Sequence, residues 1–124
     1  MAKLLIIDNE EPLCRLLADA FGKSGHSVDT VTSGQAAKEK IESRAYDVII
    51  SGIRMPEVTG LDLLRHARAI KSRAPFILMT AVPMMSTAIE AVNLGAYRYV
   101  VKTDSLVEEL CAIIEQIVKE PGRT

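Results

Sequence analysis

The sequence YDVIISGIRMP, residues 46–56, decides the fold of this 124-residue chain. Its first half is a run of aliphatic residues, which predicts a buried strand over Tyr46–Ser51. Gly52, Arg54 and Pro56 break that pattern, so a tight turn is expected after the strand. A buried strand needs apolar segments on both faces of its sheet, and the flanking sequence supplies them.

On either side of this strand, apolar runs of strand length alternate with segments of helical period. The predicted strands are Leu4–Ile7, His26–Val31, Tyr46–Ser51, Phe76–Thr80 and Tyr97–Val101. The predicted helices are Glu11–Lys23, Ala36–Ser43, Leu61–Ile70, Ser86–Leu94 and Leu106–Val118. All strands but the second are near-continuous apolar runs, which is typical of parallel strands covered on both faces. The sequence therefore predicts an α/β fold with a doubly wound parallel sheet.

The composition is that of one globular domain, with 48% hydrophobic and 25% charged residues. The formal net charge is -1 and no basic run stands out, which argues against direct nucleic-acid binding by this segment. No apolar stretch approaches the roughly 18 residues that a membrane span needs, and the run after Lys3 is too short for a signal peptide. We expect a cytoplasmic protein in which Cys14 and Cys111 are free thiols.

Chemistry-bearing side chains follow several of the predicted strands. The positions at these strand ends are Asp8-Asn9-Glu10 after the first, Gly52 (which has no side chain) after the third, Thr80-Ala81 at the fourth and Lys102 after the fifth. Doubly wound sheets place functional sites at the carboxyl ends of their strands. These positions are therefore the candidate site.

In this order and spacing, the residues resemble the receiver domain of two-component response regulators over about residues 3–118. The matching pieces are IIDNE (6–10), DVIISGIRMP (47–56), GL (60–61), TA (80–81) and LGAYRYVVK (94–102). The IRMP and LGAY runs look most like receivers of sigma-54-type transcriptional activators. The resemblance implies a flavodoxin-like (βα)5 fold with strand order 2-1-3-4-5. It also implies a receiver domain over residues 1–120, with 121–124 beginning a linker or tail.

The resemblance implies a phosphorylation site at the strand ends. In the family, an acidic pair and an aspartate that ends the third strand bind Mg²⁺. The aspartate takes a phosphoryl group from a histidine kinase. The positions of Thr80 and Lys102 then coordinate the phosphoryl oxygens, and the aromatic residue at Tyr99 repositions. The cation and the donors stabilise the charge on the transferred group.

This chain departs from the family pattern at three positions of that site. Gly52 stands where the acceptor aspartate is expected, Asn9 replaces the second acidic residue, and Thr103 follows Lys102 where proline is usual. An acyl phosphate requires a carboxylate, so the family chemistry is not expected. With Asp8 and Glu10 as the remaining acidic residues, Mg²⁺ binding is predicted to be weak or absent, and no other cofactor is expected.

Two details of the altered site are left open by the sequence. Lys102 either pairs with Asp8 or extends into solvent. Ser51 is an unpromising substitute acceptor, because neighbouring side chains on a strand point to opposite faces.

A candidate interface is the α4–β5–α5 face, built from the fourth helix, fifth strand and fifth helix. It includes Arg98, Tyr99, Glu108 and Glu109. Met84 and Met85 are expected at the first turn of the fourth helix and either form part of a partner surface or fold back into the core. The basic residues Arg65, Arg68, Lys71 and Arg73 are interpreted as a solvated face of the third helix.

The favoured hypothesis is a degenerate receiver that regulates bacterial signalling through protein–protein contacts and has no enzymatic activity of its own. Its partners would be an output domain or another signalling protein, a histidine kinase, or a second copy bound through the α4–β5–α5 face. One alternative is a conventional receiver in which Gly52 is an engineered change. Another is a small flavodoxin-like nucleotide-binding enzyme, which is disfavoured because Asp8-Asn9-Glu10-Glu11 would repel phosphate.

Overall fold

The computed structural model describes residues 1–120 of the chain, and the predicted linker at 121–124 lies outside them. The strands are β1 (Lys3–Ile7), β2 (Ser27–Val31), β3 (Val48–Gly52), β4 (Phe76–Thr80) and β5 (Arg98–Val101). The helices are α1 (Glu11–Lys23), α2 (Gly34–Ser43), α3 (Gly60–Ala69), α4 (Met85–Asn93) and α5 (Leu106–Lys119). All ten predicted elements are present, with ends that differ by at most two residues.

The strands form one parallel sheet in the order β2-β1-β3-β4-β5, which confirms the predicted topology. The chain order reverses between β1 and β3, so the topological switch point lies at the carboxyl ends of these two strands. None of the helices within residues 1–120 is long and apolar enough to cross a membrane.

Alternate residues of the strands supply two apolar cores, one on each face of the sheet. One core packs side chains of β1, β3, β4 and β5 against α1 and α5 and contains Leu4, Ile6, Val48, Ile50, Ile77, Met79 and Val100. The other packs against α2, α3 and α4 and contains Leu5, Ile7, Ile49, Phe76 and Leu78. The period-two alternation therefore determines on which face each residue at a strand end lies.

Helix α3 does not present the solvated basic face that the sequence suggested. It ends at Ala69, so Lys71 and Arg73 lie beyond it. Arg68 is half-buried, and its guanidinium donates to the carbonyl oxygens of Ser72 (3.0 Å), Ala74 (3.2 Å) and Gly95 (3.0 Å). The prediction was wrong at Arg68 because its guanidinium turns back onto the loop that follows α3 and also reaches Gly95, which is distant in sequence.

Candidate functional site

The parallel register brings Asp8, Gly52 and Lys102 to one face of the sheet. Ile6 pairs with Ile50, so Asp8 lies beside Gly52 one step beyond the last pairs of β1 and β3. Both positions continue the face that packs against α1 and α5. Lys102 follows β5 two residues after Val100, which belongs to the same core.

Lys102 and Asp8 form an ion pair at the centre of this site. Lys102 Nζ lies 2.9 Å from Asp8 Oδ2, and the Asp8 side chain is 1% exposed. The predicted pair is thus confirmed, and the alternative of a lysine extended into solvent is wrong.

Glu10 is a second partner of the lysine that the sequence did not predict. Lys102 Nζ donates to Glu10 Oε1 at 2.7 Å, and the Glu10 backbone amide donates to Asp8 Oδ1 at 2.9 Å. Burial lowers the pKa of Lys102, but its contacts with Glu10 and Asp8 outweigh burial and leave the pKa raised. Lys102 is therefore held as a cation between two carboxylates.

Gly52 faces the Asp8 carboxylate directly. A Cβ atom built on Gly52 would lie 2.5 Å from Asp8 Oδ2 and 3.1 Å from Asp8 Cγ. The space that a side chain at position 52 would need is therefore occupied by the carboxylate of Asp8.

Gly60, at the start of α3, closes the other side of this strand end. A Cβ on Gly60 would overlap the Gly52 carbonyl oxygen, and the Gly60 amide donates to the Ile53 carbonyl at 2.9 Å. Thr59 caps the helix in a reciprocal capping box with Asp62. The amino end of α3 thus lies directly against the backbone that ends β3.

Ser51 lies on the opposite face from Gly52, as the alternation predicts. It is fully buried, and its hydroxyl donates to the Gly52 carbonyl oxygen at 2.8 Å. It is therefore not available at the strand end as a replacement for the missing carboxylate.

Thr80 and Tyr99 do not join the Asp8–Lys102 cluster. Thr80 is buried, and its hydroxyl exchanges hydrogen bonds with the Val82 backbone, donating to the carbonyl (3.2 Å) and accepting from the amide (3.1 Å). The Tyr99 hydroxyl accepts from the Met84 amide at 3.3 Å and lies 3.0 Å from Thr87 Oγ1. Both side chains belong to the α4 side of the sheet, where they hold the β4–α4 loop and the first turn of α4.

Met84 and Met85 are 46% and 77% exposed, so the expectation that they fold back into the core is wrong. Together with other exposed apolar residues of α4 and of the loop before it, they make up what we call the α4 strip: Val82, Met84, Met85, Ile89 and Val92. The sequence analysis missed Ile89 and Val92. Their spacing from Met85, four and seven residues, is the signal that could have identified them.

Both ends of α4 are fixed to the rest of the domain. At its start, the Arg54 guanidinium contacts Met84 Sδ at 3.4 Å, in addition to the Tyr99 hydrogen bonds. Near its end, Glu90 forms an ion pair with Arg65 of α3. On β5, Arg98 is exposed, and its guanidinium lies 4.8 Å from the centre of the Tyr97 ring.

The acidic residues at the strand ends do not assemble into a metal-binding cluster. Within residues 1–120, no group of three or more His, Cys, Asp or Glu side chains is arranged to hold a metal ion. Asp8 and Glu10 both contact Lys102, Asn9 is an exposed neutral amide, and Gly52 has no side chain. Lys102 is the cation that contacts both remaining carboxylates.

The comparison with protein families identifies the family to which this chain belongs. Residues 4–115 match the response regulator receiver domain. The chain belongs to this receiver family. This match confirms the predicted family. Receiver domains are signalling modules of two-component systems.

Curated relatives agree with this assignment. The chain is 35% identical to the regulatory protein AtoC of Escherichia coli K12 over 117 residues, covering 94% of the chain and 25% of that protein. It is 30% identical to the transcriptional regulatory protein ZraR of Escherichia coli O157:H7 over 99 residues, covering 80% of the chain and 22% of that protein. The predicted likeness to receivers of sigma-54-type activators is confirmed by these two relatives. The chain spans about a quarter of their length.

Solved structures confirm the fold. A two-component response regulator from Clostridium difficile superposes with a TM-score of 0.91 at 28% identity, covering 98% of this chain and 99% of that one. The response regulator TrrA from Thermotoga maritima, solved in complex with Mg(2+)-BeF, has a TM-score of 0.84 at 30% identity and covers 94% of this chain and 99% of that one.

Proposed function

We propose that this receiver domain acts in two-component signalling without being phosphorylated, by presenting a fixed surface to a protein partner. The observation that carries the proposal is the arrangement at position 52. Gly52 offers no carboxylate, and the adjoining space holds the Asp8 carboxylate, which is paired with Lys102. The residue that stabilises the phosphoryl group in the family is thus engaged by an internal anion.

The chemistry of the strand ends supports this proposal. Formation of an acyl phosphate joins phosphorus to a carboxylate oxygen, and position 52 has none. Asp8 is 1% exposed and paired on both oxygens, so it is a poor nucleophile toward a phosphodonor. Ser51 is buried on the other face of β3.

The same residues do not fit the Mg²⁺ ion of the family. Mg²⁺ requires near-octahedral oxygen ligands and usually binds one or two carboxylates together with phosphate oxygens. At this site the lysine ammonium lies within 3 Å of both remaining carboxylates, at 2.9 Å from Asp8 and 2.7 Å from Glu10. A divalent cation would have to displace Lys102, so we propose that physiological Mg²⁺ binding is weak or absent.

The surface through which the domain would act is the α4–β5–α5 face. Its α4 part is apolar and exposed, and the α4 helix is fixed at both ends by Tyr99, Arg54 and Arg65. The partner would be an output domain, another signalling protein, or a second copy of the chain. A histidine kinase would be a docking partner only. A partner shifts the domain between conformations only if it binds them unequally.

A restoration series tests the proposal against the alternative that Gly52 alone separates the chain from a conventional receiver. Wild type, Gly52→Asp, Asn9→Asp and the double variant are incubated with acetyl phosphate and Mg²⁺ and read by intact mass. We expect stoichiometric labelling of the double variant and little or none of the other three. Full labelling of Gly52→Asp alone would show that Asn9 does not weaken the metal site. Labelling of Asn9→Asp, which retains Gly52, would overturn the proposal itself.

A further inference from the structure

The backbone at Gly52 does not require glycine. Among residues 1–120, the glycines with positive φ are Gly25 and Gly95. Gly52 is instead the last residue of β3 and pairs with Met79 of β4. Glycine weakens a strand, because it adds conformational entropy to the unfolded chain and no packing to the folded one. The reason for glycine at this position must therefore be space.

The space beside Gly52 is filled by one carboxylate. The ideal Cβ position lies 2.5 Å from Asp8 Oδ2, a separation that real Cβ atoms essentially never show. The three nearest atoms to that position all belong to the Asp8 carboxyl group. The close contact of a Cβ at position 52 is therefore with the Asp8 carboxylate.

The carboxylate is held in that space from two sides. The Glu10 amide donates to Oδ1, and Lys102 Nζ lies 2.9 Å from Oδ2. In the strand order, β3 and β4 lie between β1 and β5, so Lys102 reaches past the ends of both strands to meet Asp8. A side chain on Gly52 would stand in the place where the two charges meet.

We propose that Asp8 and Lys102 form an internal latch over Gly52, an ion pair that can close only when residue 52 has no side chain. The latch connects the end of β1 to the loop after β5 and supplies Lys102 with a permanent anion. It concerns internal packing only, so it holds or fails independently of the partner proposed above.

The latch explains how the buried charges of this site are compensated when residue 52 has no side chain. A carboxylate that is 1% exposed would be costly to bury without a cation, and removal of one member of such a pair leaves an uncompensated charge. With glycine at position 52, the carboxylate and the lysine compensate each other. With a larger residue, Asp8 must rotate away and Lys102 is released toward solvent.

A double-mutant cycle in urea tests the steric requirement. Gly52→Ala is expected to lower the unfolding midpoint by about 1 M, because it overpacks the Asp8 carboxylate. In the Asp8→Ala background the same substitution should cause no loss, whereas in the Asp8→Asn background, which keeps the volume, the loss should persist. Gly22→Ala is the matched control, because a Cβ there meets nothing within 4 Å. An equal loss in all three backgrounds, or a Gly52→Ala midpoint no lower than that of Gly22→Ala, would overturn the latch.

A second measurement follows Lys102 itself and needs only Gly52→Ala. Lysine acylation by acetic anhydride is read by peptide mass spectrometry under native conditions, with Lys23 as the internal standard because its side chain is 78% exposed. Release of the latch predicts that Lys102 is acylated several-fold faster in Gly52→Ala than in wild type, while Lys23 is unchanged. An unchanged Lys102 rate in a folded Gly52→Ala protein would overturn the proposal.

Discussion

The strand-end site and the α4 strip differ in which kind of side chain they bury and which they expose. At the strand ends, charged groups are buried and compensate one another, with Asp8 at 1% exposure. On α4, apolar groups face solvent, with Val92 at 72% and Met85 at 77% exposure. A folded protein normally buries apolar groups and exposes charged ones, so both regions depart from the usual pattern.

This contrast suggests that the phosphorylation site of a receiver can change without altering the structure of its α4 surface. The strand ends carry three departures from the family pattern and are closed by an ion pair, yet α4 remains ordered against Tyr99, Arg54 and Arg65. Substitutions at the strand ends should therefore change stability, and substitutions on the α4 strip should change association only.

Gly60→Ala should have the largest effect on stability. Its Cβ would meet backbone atoms of Gly52 and Ile53, which cannot move aside as a side chain can. We expect a loss of about 3 kcal/mol in the free energy of unfolding, measured by urea denaturation. Gly22→Ala, on the open surface of α1, should be neutral or slightly stabilising. A Gly60→Ala protein as stable as that control would show that α3 is not closely packed against β3.

Lys102→Met should cause the second-largest loss of stability. It leaves the buried Asp8 carboxylate without its cation, at a cost of about 2 kcal/mol. This is below the range for fully buried pairs because the Lys102 side chain is 18% exposed. Adding Asp8→Asn should restore part of the loss, and no restoration would argue that the lysine contributes by packing alone.

The stability difference between wild type and Lys102→Met should depend on pH through the ionisation of Lys102. The pKa of Lys102 is raised in the folded protein, so the pair contributes fully below the unfolded value of 10.5. The contribution is lost as the pH rises through the folded pKa. The stability gap between wild type and Lys102→Met should therefore be constant around neutral pH and should narrow only above about pH 10.5.

Tyr99→Phe should have a smaller effect, because it removes only the hydroxyl that joins β5 to the start of α4. We expect a loss of about 1 kcal/mol, together with amide chemical-shift changes around Met84 and Thr87. Thr87→Val removes the same side-chain contact from the other partner. The two substitutions should be non-additive, and strict additivity would contradict the proposed attachment of α4 to Tyr99.

Val92→Lys on the α4 strip should have the smallest effect on stability, less than about 0.5 kcal/mol. Its side chain is exposed and packs against no core. Where the partner is a second copy of the chain, the same substitution should weaken the homodimer formed through the α4–β5–α5 face, as measured by sedimentation equilibrium. Arg15→Ala on α1, at an exposed position away from that face, serves as the control. A large loss of stability in Val92→Lys would contradict the contrast drawn above.

Most of the fold was predictable because its signals are local. The apolar runs and helical periods identified all ten elements, and the strand order came from the family resemblance. The Lys102–Asp8 pair was also foreseen as one of two arrangements, because the topology brings β1 and β5 ends to one edge. Local patterns cannot show which rotamer fills a vacated space, so the position of the Asp8 carboxylate beside Gly52 needed coordinates.

Long-range polar contacts were the other missed feature. Arg68 was interpreted as a surface charge, but burial lowers its pKa, and carbonyls of the α3–β4 loop and of Gly95 after α4 accept its hydrogen bonds. Glu10 appeared to be a vestigial metal ligand but is a partner of Lys102. The contacts of Arg68 with Gly95 and of Lys102 with Glu10 join residues that are distant in sequence, and nothing in the local pattern indicates these partners.

The most direct test of the account is the intact mass of the unaltered protein after incubation with acetyl phosphate and Mg²⁺. Because no carboxylate is available at position 52, we predict that the mass is unchanged and that the double variant Gly52→Asp/Asn9→Asp, run in parallel, gains one phosphoryl group. A stoichiometric phosphoryl adduct on the unaltered chain, mapped to residues 46–56, would contradict the central claim.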